Sequence, residues 1–268
     1  MNQNNYNFSD NNLNIATYIS QGQFEIYFQF INKLRPLENM IQAYKMVQEQ
    51  YFKLQMAPQI IENLPILSER GHDLAVQETT IYIMLNRMFI DNCKNLMKQL
   101  PDLELKSLIN LFDKSPCEEN LRVLRNYANH TTIPITGLII ESSSDNITKI
   151  NPTIKRQDLI GHLNPYDTSI VNTWPEDGIE IMPEITKSNL GVQNLTKAII
   201  HKFIEKHINK REIEQIKADI KIWKEILIPQ KTRGVFSFPR TSKMKSAYID
   251  SLLLTMTISS IIDDIEHN

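Results

Sequence analysis

Through much of the first half of the chain, apolar residues recur at spacings of three and four, the spacing that gathers them on one face of an α-helix. Met40, Ile41, Tyr44, Val47, Tyr51 and Leu54 predict a helix to about Met56, opened by Pro36. A longer helix is predicted over roughly 74–100, with Ile81, Met84, Leu85, Met88, Phe89, Leu96 and Met97 inward and Pro101 beyond its end. Asp73, in Gly71-His72-Asp73, is expected to cap it. Leu103, Leu105, Leu108, Ile109 and Leu111 carry a shorter segment over 103–113. Ser115-Pro116 then reads as a helix start, with Ser115 as cap and Glu118 and Glu119 favourable at the N-terminal end of the dipole. Leu121, Leu124 and Ala128 form that helix's apolar stripe, and Thr131-Thr132-Ile133 before Pro134 should end it. His130 therefore falls at or near its C-terminal end.

Elsewhere the pattern is less regular. Residues 1–12 are asparagine-rich with little to bury and are expected to form a disordered leader. Over 13–34, Phe24, Ile26, Phe28 and Phe30 alternate like a strand, whereas Phe24, Tyr27, Phe28, Ile31 and Leu34 fit a helical stripe. Length and the helical neighbours favour helix. Residues 134–142 read as one strand. From 143 to about 190, Pro152, Pro165, Pro175 and Pro183 interrupt any period, so an ordered but irregular connection is expected, marking a boundary. A long helix is predicted over 193–227, a basic loop over 228–246 and an amphipathic helix over 247–266. The resulting fold class is mainly α, divided into a leader (1–12), a helical bundle (13–135), a connection with one strand (136–190) and a smaller helical C-terminal part (191–268).

Composition narrows the chemistry. The sequence has 268 residues, enough for a substantial core, and a formal charge of −2, so it exerts no long-range pull on nucleic acid and a polyanion site must be local. Only 7 glycines are present, and neither G-x-x-x-x-G-K-[ST] nor G-x-G-x-x-G occurs, which removes the commonest nucleotide loops. Cys93 and Cys117 are too few for a disulfide framework or zinc knuckle and read as small buried hydrophobes of a reducing cytoplasm. The N-terminus lacks the basic and apolar regions of a signal peptide, and Ser251–Ile262 is too short to span a bilayer. A soluble, cytoplasmic protein is expected, with no membrane partner.

The candidate chemistry lies in Arg125-Asn126-Tyr127-Ala128-Asn129-His130. Cleaving RNA without a metal requires a group to move the 2′-hydroxyl proton and a cation to steady the phosphate. Histidine suits the first role because it titrates near neutrality. Arginine suits the second because it stays charged and its planar fork matches two phosphate oxygens. Asn126 can hydrogen-bond to either. Positions five apart lie about 140° apart on an ideal helix, so the pair meets only if the helix ends at His130 or if a second subunit completes the site. The string resembles the R-x4-6-H motif of HEPN domains, all-α bundles in which an arginine, a polar residue and a histidine fall late in the bundle. The resemblance covers at most residues 13–135. It implies a metal-independent endoribonuclease of a bacterial or phage-related defence or toxin system, a homodimer with the motif at its interface, and an antitoxin or defence-complex partner. In that case Arg125, Asn126 and His130 are the catalytic residues. The alternative is a non-catalytic helical interaction protein, a dimer or partner-binding scaffold using the same bundle.

A second candidate is the basic segment with Lys231, Arg233, Phe236, Phe238 and Arg240, where cations for phosphates alternate with rings for base stacking. The competing reading is a solvated loop with its phenylalanines packed on helices. His201, Glu205 and His207 do not form a repeated Glu-x-x-His motif, so the sequence implies no metal and no cofactor. The Met84, Met88 and Met97 stripe reads as core.

Overall fold

A computed structural model describes residues 6–10, 13–19, 29, 32–62, 69–128, 135–143, 146–209 and 211–212. The chain divides into two compact units, Asn39–Thr196 and a second formed by Met1–Glu38 with Lys197–Asn268. The described residues are mainly helical. None of their helices is long and apolar enough to cross a membrane.

The unit Asn39–Thr196 is built around four helices: α1 (Glu38–Glu62), α2 (Glu69–Gln99), α3 (Lys106–Asp113) and α4 (Pro116–Ala128). The sequence pattern finds all four, with α1 and α2 longer than expected. Because α2 begins at Glu69, Asp73 lies inside the helix and does not cap it. Ser115 opens α4 through its carbonyl, which accepts from Glu119 N, while its hydroxyl lies 3.3 Å from Cys117 Sγ. The inner face of α2 also differs. Tyr82, Ile83, Phe89, Ile90, Cys93 and Leu96 are buried, whereas Ile81, Met84, Leu85, Met88 and Met97 are only half-buried. Phe89 packs edge-on against Phe112 of α3, with ring centroids 6.5 Å apart. Cys93 is buried as expected, but Cys117 is only half-buried.

After α4 the chain is more ordered than its prolines suggest. Strand β3 (Gly137–Ser143) pairs antiparallel with β4 (Asn146–Ile154), and β4 pairs antiparallel with β5 (Ile179–Glu180). Between them lies a short helix, α5 (Pro165–Val171), and β5 leads directly into α6 (Ile181–His207). An irregular connection with one strand is therefore replaced by a three-stranded sheet and a helix. The prolines misled because Pro165 and Pro183 occupy first turns, where no backbone N–H is needed. Asn164 caps α5 by accepting from Asp167 N at 2.9 Å. Buried Asn151 of β4 accepts from Met182 N at 3.1 Å, fixing the start of α6 to the sheet. The bundle thus does not close at residue 135, since the same compact unit continues to Thr196.

Gly178 makes the turn into β5. Its N–H donates to the Pro175 carbonyl at 2.9 Å, its φ is +93°, and a Cβ there would sit 1.8 Å from the Ile154 carbonyl oxygen. Gly178→Ala is expected to destabilise this unit by about 1–3 kcal/mol, measured by urea denaturation; an unchanged midpoint would contradict this turn geometry.

In the other unit, β1 (Tyr6–Asp10) pairs antiparallel with β2 (Leu13–Ile19). The strands replace the expected disordered leader at residues 6–10 and the expected helix at 13–19, whereas residues 29 and 32–34 are helical as expected. Leu13, Ile15, Thr17 and Ile19 alternate with Asn14, Ala16 and Tyr18, a period-two pattern, and the intervening Asn11-Asn12 is a turn-favouring pair. Residues 32–34 are helical, and a 3₁₀ turn (Arg35–Leu37) with Leu37 buried carries Pro36 between them and α1, as expected of a residue that breaks one helix and opens the next. Lys33 is ion-paired with Glu212. The long helix expected to run from 193 to 227 starts at Ile181, and α6 ends at His207. The expected basic loop (228–246) and final helix (247–266) lie outside the described residues.

Candidate functional site

Helix α4 brings Arg125 to the α2–α4 contact. Glu118, Leu121, Arg122 and Arg125 fall at i, i+3, i+4 and i+7, which puts them on one stripe. Together with Ile83, Asn86, Arg87 and Ile90 of α2, and Asp113 at the end of α3, they line a pocket of about 10 Å³ that opens to solvent. That volume holds about one water molecule. Three of its nine lining residues are arginines, which decides its character.

Arg125 is half-buried. Among the described residues its guanidinium donates only to Asn126 Oδ1, at 2.8 Å. Burial lowers its pKa, as do the nearby Arg87 and Arg122 charges, against the opposing pull of Asp91 and Asp113. Asn126 is itself held from behind, because its Nδ2 donates to Asp167 Oδ2 at 2.9 Å. Asp167 is buried and also accepts from Asn164 Nδ2 at 2.6 Å. The chain Asn164–Asp167–Asn126–Arg125 therefore runs from the cap of α5 to the pocket and fixes where the arginine points.

The other two arginines are engaged differently. Arg87 pairs with Asp91 at 2.7 Å and with Asp113 at 3.3 Å, and Asp113 also receives Lys94 at 2.6 Å. Arg122 stacks over the Tyr166 ring at 4.6 Å. Its Nη2 is buried without a hydrogen-bond partner, 3.7 Å from Glu119 Oε1. That distance is too long for a hydrogen bond.

Glu118 forms the inner end of the pocket. It is 4% exposed and accepts hydrogen bonds from Asn86 Nδ2 at 2.6 Å and from the Ser188 hydroxyl of α6. Burial pushes its pKa from the ordinary 4.5 up to about 7, against the lowering effect of those two bonds. Asn86, 2% exposed, leaves its Oδ1 without a hydrogen-bond partner.

Sequence reasoning singled out Arg125 and Asn126, which the structure brings together, and missed Glu118, Arg122, Arg87 and Asn86. A signal was present: Glu118, Arg122 and Arg125 repeat at helical spacing, and Asn86-Arg87 interrupts an otherwise apolar run from Ile81 to Ile90. Tyr127 points to another side of α4, where its ring meets His162 edge-on at 6.0 Å. His130 lies outside the described residues, as do Lys231, Arg233, Phe236, Phe238 and Arg240. His201 Nδ1 is 3.4 Å from Glu205 Oε2 on an exposed face of α6. Among the described residues, no group of three His, Cys, Asp or Glu side chains is placed to hold a metal ion.

Fold and site together define a mainly α-helical protein with an arginine-lined pocket between two helices. No protein-family model, curated protein or solved structure matches the chain.

Proposed function

We propose that Arg125 meets a phosphate of RNA, and that the protein is a metal-independent endoribonuclease built on a HEPN-like bundle. The observation that carries this reading is Arg125: a half-buried guanidinium aimed by Asn126, with no carboxylate hydrogen-bonded to it among the described residues. Such a group is short of an anion, and a phosphodiester oxygen supplies one. In the reaction His130 takes the 2′-hydroxyl proton as the O2′–P bond forms. Arg125 neutralises the charge on the phosphorane, and the departing 5′-oxygen takes a proton from solvent as the P–O5′ bond breaks. The product end is a 2′,3′-cyclic phosphate. A homodimer facing motif to motif would complete the site, with Lys231, Arg233, Phe236, Phe238 and Arg240 extending the RNA contact in a cytoplasmic defence or toxin setting. An antitoxin or defence-complex partner fits that setting.

The test is cleavage of a mixed RNA pool in EDTA. Wild type is expected to cut and leave cyclic phosphate ends, while Arg125→Ala and His130→Ala lose at least about a hundredfold in rate. Equal cutting by all three proteins would remove the site from the chemistry. A second reading draws on the same hydrogen-bond chain: Asn126 bridging Arg125 and Asp167 also serves as a cross-brace between α4 and α5 in a non-catalytic interaction protein. A folded wild type that does not cut RNA would favour that reading.

A further inference from the structure

Asn126 aims Arg125, and Asn126 is in turn held by a carboxylate whose charge its own surroundings do little to balance. Asp167 is 1% exposed. Its Oδ2 accepts from Asn126 Nδ2 at 2.9 Å and from Asn164 Nδ2 at 2.6 Å, both uncharged donors. Its Oδ1 accepts no hydrogen bond among the described residues, and the facing Arg122 Nε stands 4.0 Å away, too far to donate. Arg122 is also drawn towards Glu119 and stacked on Tyr166. Burying a carboxylate with no charged donor on it is costly, and a place in the first turn of α5 offsets only part of that cost. Capping α5 does not require the charge either, since Asn164 supplies the cap and Asp167 contributes its backbone N–H.

What the charge does is settle which way the Asn126 amide faces. An ionised carboxylate only accepts, so the amide turns its nitrogen to Asp167 and its oxygen to Arg125. The reversed amide would set Asn126 Oδ1 against Asp167 Oδ2 and Asn126 Nδ2 against Arg125 Nη2, with both hydrogen bonds lost. Arg125 thereby gains a counter-charge one side chain removed. A carboxylate in direct contact could take a pair of guanidinium donors in a fork. The amide oxygen takes Nη2 alone, at 2.8 Å, among the described residues. We propose that Asp167 is the positioning residue of the Arg125 site: through Asn126 it orients the guanidinium and balances its charge, leaving the remaining donors to a phosphate oxygen. The proposal rests on the phosphate role given to Arg125 above, and Asp167 itself touches no substrate.

Exchanging the two side chains tests it. In the full chain carrying Asn126→Asp with Asp167→Asn, the net charge and the α4–α5 hydrogen bond are kept, but the carboxylate now sits against Arg125. The exchanged protein is expected to regain most of the urea midpoint that Asn126→Asp alone loses. Its RNA cleavage in EDTA is nevertheless expected to fall by about a hundredfold from wild type. Phenylglyoxal modification of Arg125, followed residue by residue by mass spectrometry, reads the same arrangement without RNA. The exchange is expected to slow it roughly tenfold, because a charge-assisted hydrogen bond must first break, with Arg87 as the internal control. Asp167→Asn alone, which removes the counter-charge and keeps the shape, is expected to speed it, as any loosening of α5 would. Slowing in one variant and speeding in the other is thus not a structural effect. Unchanged Arg125 reactivity in both variants, or cleavage by the exchanged protein at the wild-type rate, would overturn the positioning role. A wild type that cuts no RNA, with Arg125 slowed by the exchange, fails only the ribonuclease reading.

Discussion

Glu118→Gln is expected to flatten the pH dependence of stability between about pH 4.5 and about pH 7, and to leave the protein more stable than wild type above that range. The unfolded chain releases the Glu118 proton near 4.5, whereas the native chain holds it to about 7. Between these values the native state carries more protons, so every rise in pH favours unfolding. The contribution is fully present below 4.5 and is lost as pH passes through about 7. The interval corresponds to about 3 kcal/mol. Glutamine can accept from Asn86 and donate to the Ser188 oxygen, so the substitution removes the titration and keeps the packing. Urea denaturation of both proteins at a series of pH values checks this, because every other titrating group is common to the two. Parallel profiles would mean that Glu118 titrates as an ordinary solvated carboxyl.

The largest loss from a single truncation is expected at Phe89. It is fully buried at the centre of α2 and packs edge-on against Phe112. Phe89→Ala removes the ring's transfer energy and leaves a cavity between α2 and α3, a cost of about 3–5 kcal/mol. Phe89→Leu keeps most of the volume and should cost less than about 1.5 kcal/mol. Leu111, one residue before Phe112 on α3, is 76% exposed, and Leu111→Ala should change stability by less than about 0.5 kcal/mol. Denaturation midpoints for the three variants give the ranking directly. Similar losses at Phe89 and Leu111 would show that α3 does not pack on α2 through Phe112.

Helical periodicity makes α1, α2, α3 and α4 legible because each buries a broad stripe. It does not give the centre of that stripe. Helix α2 touches α3 and α4, and Tyr82 reaches the Ile185 carbonyl of α6 at 3.3 Å, so its buried arc is set by neighbours distant in sequence. A tyrosine with a satisfied hydroxyl is a core residue, yet its sequence gives no sign of the partner. The sheet is harder to read. β5 has two residues, too short for any period, and β4 contains Pro152, a residue the pattern treats as a breaker. At the site, Arg125 and Asn126 were accessible through chemistry and motif. Glu118 was read only as a first-turn carboxylate favourable to the helix dipole. Its burial depends on Ser188, 70 residues away.

Asn126 carries a constraint of another kind. Its oxygen faces a cation and its nitrogen faces an anion, so the side chain works as an adapter with a fixed electrical direction. An aspartate there would be nearly identical in shape, yet it would set two carboxylates against each other across the Asp167 contact. A leucine would match the volume but strand both neighbours. The exchange that looks smallest on a scale of size is thus among the largest on a scale of polarity. Of the charge-neutral side chains of this size, only an amide offers both ends at once.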